Sequence, residues 1–309
     1  MSVDLFSFFK KNNFNKKIDL NQVIMFPLKE KYTKNFGFQW HKHQKTQLDS
    51  FTGIPLSEDR FYKNTKWKIT DLKNKNVLEL GSGAGRFTEI LTKTNCNLFT
   101  VDSSNSIFVN FDSNFKKNNK KKVFFIQADI ENLPFKSNMF DYVFCYGVIQ
   151  HTKDPKKILD ILINNTKVGG KISIDFYKKR YLPNCWSTPK YFWRPFSTRI
   201  NINILYKIIS WYIPYYLPFD TFLKKTFGKL GFVLTGFIPI PCWNYFFLDL
   251  DKKIKVEWAI LDTFDALSPK YDKSFTNKDI EVMLKDIKAR IKYKIFNGSN
   301  GLVLNITKL

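Results

Sequence analysis

A carboxylate and three alternating glycines, Glu79-Leu80-Gly81-Ser82-Gly83-Ala84-Gly85, form the first group in this chain whose types and spacing could do chemistry. Glycines are needed where a backbone must turn sharply and let a ligand lie directly on it. The apolar run before them (Val77 to Leu80) reads as a strand, and Phe87, Ile90 and Leu91 give helical spacing behind them. A helix starting there points its free N–H groups at whatever sits in the turn. Asp102 ends a second apolar run, Asn97 to Val101, about 20 residues on, where a carboxylate is placed to accept hydrogen bonds from a ribose. The alternative for Asp102 is an N-cap of the next helix. His151 follows a fourth apolar run, Phe140 to Cys145. Its imidazole, with an unperturbed pKa of roughly 6.5, suits a general base, or it orders the loop it stands in.

Two ligand readings compete for the glycine turn. The dinucleotide fingerprint G-x-G-x-x-G needs a glycine where this chain has Arg86; the third glycine comes one place early, at Gly85. Glu79 is also foreign to that fingerprint, which argues against an NAD-linked enzyme. The pattern E-x-G-x-G-x-G resembles the first motif of the class I S-adenosylmethionine (SAM)-dependent methyltransferases, of the type 11-like family. Ala128-Asp129-Ile130-Glu131-Asn132-Leu133-Pro134-Phe135 and Gly147-Val148-Ile149-Gln150-His151-Thr152-Lys153-Asp154-Pro155 resemble two further segments of that class, in the same order. The resemblance implies SAM as cofactor. It implies Glu79, Gly81, Ser82, Gly83, Gly85, Asp102 and Ser103 around the turn, Asp129 and Ile130 at the adenine, and Tyr146 near the methionine end. Gln150 and His151 would face the substrate, His151 as candidate base, with Trp40 and Tyr271 as further substrate contacts. No metal site is expected: His41 and His43 are two apart, on different faces of a helix, and no other His or Cys pair supports them.

The elements that must position these residues follow from pattern. Strands are expected at Asn76–Leu80, Asn97–Val101, Val123–Ala128, Phe140–Cys145 and Lys171–Phe176, separated by helices at Phe87–Thr94, Ser103–Phe115 and Lys156–Asn165. Near-continuous apolar strands alternating with helices predict a doubly wound parallel sheet, with ligands at the carboxyl ends of the strands. An amphipathic helix, Thr276–Arg290, and a hairpin, Tyr293–Phe296 and Leu302–Thr307, look like the end of the same fold, giving an α/β, seven-stranded, mostly parallel, Rossmann-like sheet. The expected division is an N-terminal helical segment over the cofactor site (1–70), a SAM-binding core (71–177), a helical aromatic-rich insert or lid (178–272), and a last helix with a C-terminal hairpin (273–309). Ser57 is expected to cap a helix, and the insert to hold helices at Ile202–Tyr212 and Thr221–Leu230.

Composition sets bounds. The chain has 309 residues and is 17% aromatic, enough for a sizeable core and unlike a disordered chain. Its formal charge of +23 admits an anionic partner, but the lysines are spread evenly, as a Lys-, Asn-, Ile- and Phe-rich codon bias would spread them. The four cysteines are far apart and form no C-x-x-C, which fits a reducing compartment. No signal-peptide core is visible, and no run reaches the ~18–20 apolar residues of a membrane span. A cytoplasmic protein is expected, with peripheral membrane contact through 181–247 as a possibility.

The methyl chemistry resides in the cofactor, so the protein's main contribution is holding an acceptor in line with the sulfur–methyl bond. A hydroxyl acceptor also needs a base. The segments Gln39–Asp49 and Ser268–Tyr271 resemble features of sugar- and glycan-tailoring methyltransferases, so the expected acceptor is a small molecule, a sugar or glycan, or a lipid-linked intermediate, methylated on oxygen. Two alternatives stand beside it: a tRNA or RNA methyltransferase using the basic surface, and a non-catalytic scaffold with this fold.

Overall fold

The computed structural model describes residues 5–10, 17–18, 23–28, 33–115, 122–179, 190–235 and 248–309. Cys185, Cys242 and the 181–189 and 236–247 parts of the expected membrane contact lie outside the described residues. The chain divides into two compact units. One comprises 1–44, 55–178 and 271–309; the other comprises 45–54 and 179–270.

Among the described residues the first unit holds one mixed sheet of ten strands: β1 (Lys17–Ile18), β2 (Ile24–Met25), β3 (Asn76–Leu80), β4 (Asn97–Asp102), β5 (Val123–Gln127), β6 (Phe140–Cys145), β7 (Thr166–Lys178), β8 (Ser274–Phe275), β9 (Ile291–Gly298) and β10 (Gly301–Lys308). Their order is β1-β2-β5-β4-β3-β6-β7-β10-β9, with β8 paired to the end of β7. Strands β2 to β7 run parallel to one another, β1 pairs antiparallel with β2, and β10 enters antiparallel between β7 and β9. The seven expected strands are therefore all present, extended at the edges by three two-residue strands.

Alternation along the strands builds two cores. Leu78, Leu80, Val143, Cys145, Ile172, Ile174 and Phe176 pack on one face. Val77, Leu98, Tyr142, Phe144 and Val303 pack on the other, with Phe61, Trp67 and Phe87. Side chains in a strand point alternately to the two faces, and a strand covered on both sides reads as a continuous apolar run. The chain order reverses across β3, with β4 on one side and β6 on the other, so the β3 and β6 loops open at one crevice.

Several local expectations are corrected. Ser57 is not a cap: the helix Leu56–Thr65 starts after Pro55, and the buried Ser57 hydroxyl accepts from Arg86 Nε at 2.7 Å. The helix expected over Thr276–Arg290 is helical over Asn277–Leu284 and tightens to a 3-10 turn over Lys285–Arg290; its Thr276–Asp279 capping box is present. The helix Lys34–Lys42 carries no apolar period, because its buried residues are Asn35, Gly37 and Gln39.

In the second unit the two expected insert helices are one, Ile202–Phe227, followed by Lys229–Leu234. Pro214 and Pro218 read as breaks, since each removes a helix hydrogen bond. Both lie on the exposed face, while Ile213 and Leu217 beside them are buried and keep the two halves in line. The helix Lys252–Leu267 buries Trp258, Leu261, Phe264 and Leu267. Its C-terminal carbonyls are capped by Arg194, whose Nη1 and Nη2 donate to Ala266 O at 2.9 Å and Pro269 O at 2.7 Å. Asp262 accepts from Gln47 Nε2 at 3.3 Å, which ties residues 45–54 to the insert.

Candidate active site

The β3 turn is built so that a side chain on either of two glycines would collide with another element. Gly81 (φ +73°) faces Val148 from the loop after β6, and a Cβ there would lie 2.2 Å from Val148 Cγ2. Gly83 (φ +54°) lies under the indole of Trp40, and a Cβ would lie 2.9 Å from Trp40 Nε1. Both conformations favour glycine. The first motif, the loop after β6 and the helix Lys34–Lys42 thus meet at one turn.

Asp102, at the end of β4, organises that turn. Its Oδ2 accepts from Gly83 N at 2.9 Å, and its Oδ1 accepts from Ser104 N at 2.7 Å and Ser104 Oγ at 2.8 Å. Asp102 is not the cap of the next helix, Ser106–Asn114, which starts after Asn105; its carboxylate stands at the glycine turn and binds the loop that leads into that helix. Burial raises its pKa, and the Ser104 and Gly83 hydrogen bonds oppose the rise. Ser103 beside it is half-buried, and Asp102 O accepts from Ala128 N at 3.1 Å, which brings the Asp129–Ile130 segment alongside. Asp129 Oδ1 accepts from Glu131 N at 2.9 Å, and Asp129 and Ile130 are both buried.

Glu79 sits beneath the turn and is 2% exposed. Its Oε2 accepts from Thr88 Oγ1 at 2.5 Å; Thr88 in turn accepts from Asn110 Nδ2 at 2.7 Å. Asn114 Nδ2 continues the network to Gly85 O at 3.1 Å. Burial pushes the Glu79 carboxyl up to about 7, against the Thr88 and Thr100 hydrogen bonds and with a further push from Asp102.

The loop after β6 is held by a buried carboxylate that sequence reasoning left inside a strand. Asp175, near the end of β7, accepts from Gly147 N at 2.6 Å and from Arg60 Nη2 at 2.5 Å. Arg60 lies over the rings of Phe87 and Tyr146, 5.5 and 5.7 Å from their centroids. The Tyr146 hydroxyl is engaged with Ser173 Oγ at 2.7 Å, and burial raises its pKa. The signal for Asp175 was present: a carboxylate in the apolar run Lys171–Phe176 needs a partner.

His151 is 4% exposed and fixed at both ring nitrogens. Nδ1 lies 3.0 Å from Tyr271 O and 3.9 Å from Asp272 Oδ2; Nε2 lies 3.3 Å from the Tyr177 hydroxyl. A carbonyl only accepts, so Nδ1 carries the proton of the neutral ring and Nε2 accepts from Tyr177. Tyr271, expected as a substrate contact, reaches His151 through its backbone. Phe36 flanks the ring at 5.3 Å. Next to it Gln150 is fully buried; its backbone carbonyl accepts from Lys273 N at 2.9 Å, but neither polar atom of its side chain has a partner among the described residues. The same holds for Ser82 Oγ.

An open α/β sheet with a glycine turn at its switch point and a carboxylate at the next strand end is the setting in which such sheets hold nucleoside cofactors. The family model described as "Methyltransferase domain" matches residues 78–174. The chain is 30% identical over 188 residues to the ubiquinone/menaquinone biosynthesis C-methyltransferase UbiE of Wigglesworthia glossinidia brevipalpis, covering 50% of this chain and 72% of that protein. It is 24% identical over 195 residues to the ubiquinone biosynthesis O-methyltransferase of Coxiella burnetii, covering 63% and 79%. A tRNA U34 carboxymethyltransferase of Nautilia profundicola matches over 121 residues at 31% identity, covering 36% and 38%. The chain belongs to the class I SAM-dependent methyltransferases. Its cofactor is SAM, and the alternative of a non-catalytic scaffold falls away, as does the NAD-linked reading that the glycine spacing had already argued against.

Proposed function

We propose that this enzyme methylates a hydroxyl on a small-molecule, glycan or lipid-linked acceptor, with His151 drawing the proton away through Tyr177. The Tyr177–His151 pair carries the reading. Nδ1 is committed to Tyr271 O, so Nε2 is the basic position, and it accepts from a hydroxyl rather than facing a cation or a carboxylate.

The residues fit SAM on observations of this chain. The buried Ser82 hydroxyl and Gln150 amide lack partners among the described residues, and the positive φ of Gly81 and Gly83 folds the backbone into the tight turn that carries Ser82. Glu79, Gly81, Ser82, Gly83, Gly85, Asp102 and Ser103 would hold the cofactor at the turn, Asp129 and Ile130 at its base, and Tyr146 beyond. When bound, SAM supplies the activated methyl group. The protein orients the acceptor and accepts its proton: the acceptor hydroxyl gives a proton to the Tyr177 oxygen as the Tyr177 proton passes to His151 Nε2. Arg60 and Asp175 act as positioning residues, because they set the Gly147 backbone and hence the loop bearing Gln150 and His151. Trp40 and Tyr271 would border the acceptor.

The names of the relatives support small acceptors, since two of them act in ubiquinone biosynthesis. A second reading, methylation of tRNA, is favoured by the charge of +23 and by the tRNA-modifying relative. Labelled-methyl transfer from SAM decides between them, with a phenolic polyprenyl quinone precursor, a glycan and unmodified tRNA as acceptors. We expect transfer to a hydroxyl compound, with Tyr177→Phe and His151→Asn lowering kcat by about 10²–10⁴-fold while SAM affinity holds within a few-fold. Transfer to tRNA alone would overturn the acceptor. Unchanged kcat in both variants would remove the proton relay.

A further inference from the structure

The helix Ile202–Phe227 carries two apolar faces, and among the described residues only one is covered. Leu205, Ile209, Ile213 and Leu217 are buried. Ile204, Ile208, Trp211, Tyr215, Phe219 and Phe222 recur at intervals of three and four and are each between 45% and 75% exposed. Residues at that spacing form one stripe along a helix. Exposed Leu230, Val233 and Leu234 extend the apolar surface onto the next helix. With aromatic side chains of ~150–250 Å² each, the six stripe residues alone expose on the order of 700 Å², above the ~300–600 Å² of the largest patch on a typical monomer.

Charge names the occupant. Lys207 and Lys225 are exposed, and they occupy the same angular position, along one margin of the stripe; Lys229 follows, and Arg199 precedes it. Between residues 190 and 235 the single carboxylate is Asp220, which is buried and paired with Lys224 Nζ at 2.6 Å. A second copy seated on this face by two-fold symmetry would bring the same lysines toward each other, in a chain of net charge +23. A bilayer with anionic headgroups meets both features: apolar side chains enter the acyl boundary, lysines reach the phosphates, and Trp and Tyr suit the interface. No helix among the described residues is long and apolar enough to cross a membrane, so the helix would lie in the plane of the surface.

We infer that the Ile204–Phe222 face of the insert rests on an anionic lipid surface. The inference is independent of the acceptor. The test is co-sedimentation of the full chain with vesicles of phosphatidylcholine alone and of phosphatidylcholine with phosphatidylglycerol, at low and high salt. Wild-type protein is expected to pellet with the anionic vesicles and to be released from them by salt. Trp211→Gln/Tyr215→Gln and Lys207→Glu/Lys225→Glu are each expected to weaken partitioning by about tenfold or more. Calorimetric SAM binding reports that each variant is folded and should not change. Wild-type protein that stays in solution with anionic vesicles overturns the inference without any variant. So does a Trp211→Gln/Tyr215→Gln protein that binds SAM and pellets like wild type. A wild-type dimer in sedimentation velocity that the same variant converts to monomer would assign the face to a second copy instead.

Discussion

Glu79→Gln should remove the contribution by which Glu79 lowers stability as pH rises towards neutrality. The carboxyl is 2% exposed, its ordinary value is 4.5, and burial pushes it up to about 7. A folded-state value above the unfolded one means that the folded protein holds the proton more tightly. The stabilisation is therefore fully present below about 4.5 and is lost as pH rises through about 7. At 1.36 kcal/mol per pH unit, the loss attributable to Glu79 is about 3 kcal/mol. Asp102 adds to it with the same sign, since burial raises its pKa too. His43 works in the opposite direction over an overlapping range, so the raw profile mixes the three, and the informative quantity is wild type minus variant. The amide that Glu79→Gln introduces imitates the protonated acid and can still accept from Thr88. Urea unfolding at half-unit steps from pH 4.5 to 8, followed by far-UV circular dichroism, gives that difference. We expect the variant to gain on wild type by about 2–3 kcal/mol between the ends of the range. Parallel curves would mean that Glu79 is ionised throughout, and the account of a proton held beneath the glycine turn would be wrong.

Three further outcomes follow from the same geometry. His43 is 5% exposed and burial, aided by Lys42, lowers it to about 4, so its stabilisation is present above about 6.5 and lost as pH falls towards 4; His43→Gln should remove that acid limb in the same titration. Gly83→Ala should weaken SAM binding about tenfold or more by calorimetry, because a left-handed φ costs roughly 1–2 kcal/mol and the new methyl meets Trp40; the same change in a Trp40→Ala background should lose less. Arg60→Leu strands a fully buried Asp175 and should destabilise by about 3–5 kcal/mol, whereas Arg60→Leu/Asp175→Asn should cost less than the two single changes added, as read from urea midpoints.

Most of the sheet was legible in the sequence because its central strands are covered on both faces. Val77–Leu80, Asn97–Val101, Val123–Gln127 and Phe140–Cys145 needed only apolar runs and their glycine or carboxylate ends to be placed. Elements that bury polar groups were not legible by the same signal. The helix Lys34–Lys42 turns Asn35, Gly37 and Gln39 inward and leaves no apolar stripe to read. The insert failed for the reverse reason. Ile202–Phe227 is apolar nearly all round, so periodicity could not assign its faces, and two prolines on the exposed side looked like ends.

The site divides along the same physical line. The glycine turn and Asp102 are local: a backbone that must accept a ligand needs particular residue types at short spacing, and spacing survives in sequence. The surroundings of His151 are assembled over long separations. His151 meets Tyr271 across 120 residues and Tyr177 across 26, and Asp175 meets Arg60 across 115. Of these contacts, the His151–Tyr271 bond is made by a backbone carbonyl, which leaves no trace in residue type at all. A carboxylate in an apolar strand does leave one. Asp175 is fully buried between Ile174 and Phe176, and burying a charge without a partner is costly enough that its presence there requires a cation and a donor nearby. Arg60 and the Gly147 N–H are that cation and that donor, and together they join the helix Leu56–Thr65 and the loop bearing His151 to the end of β7.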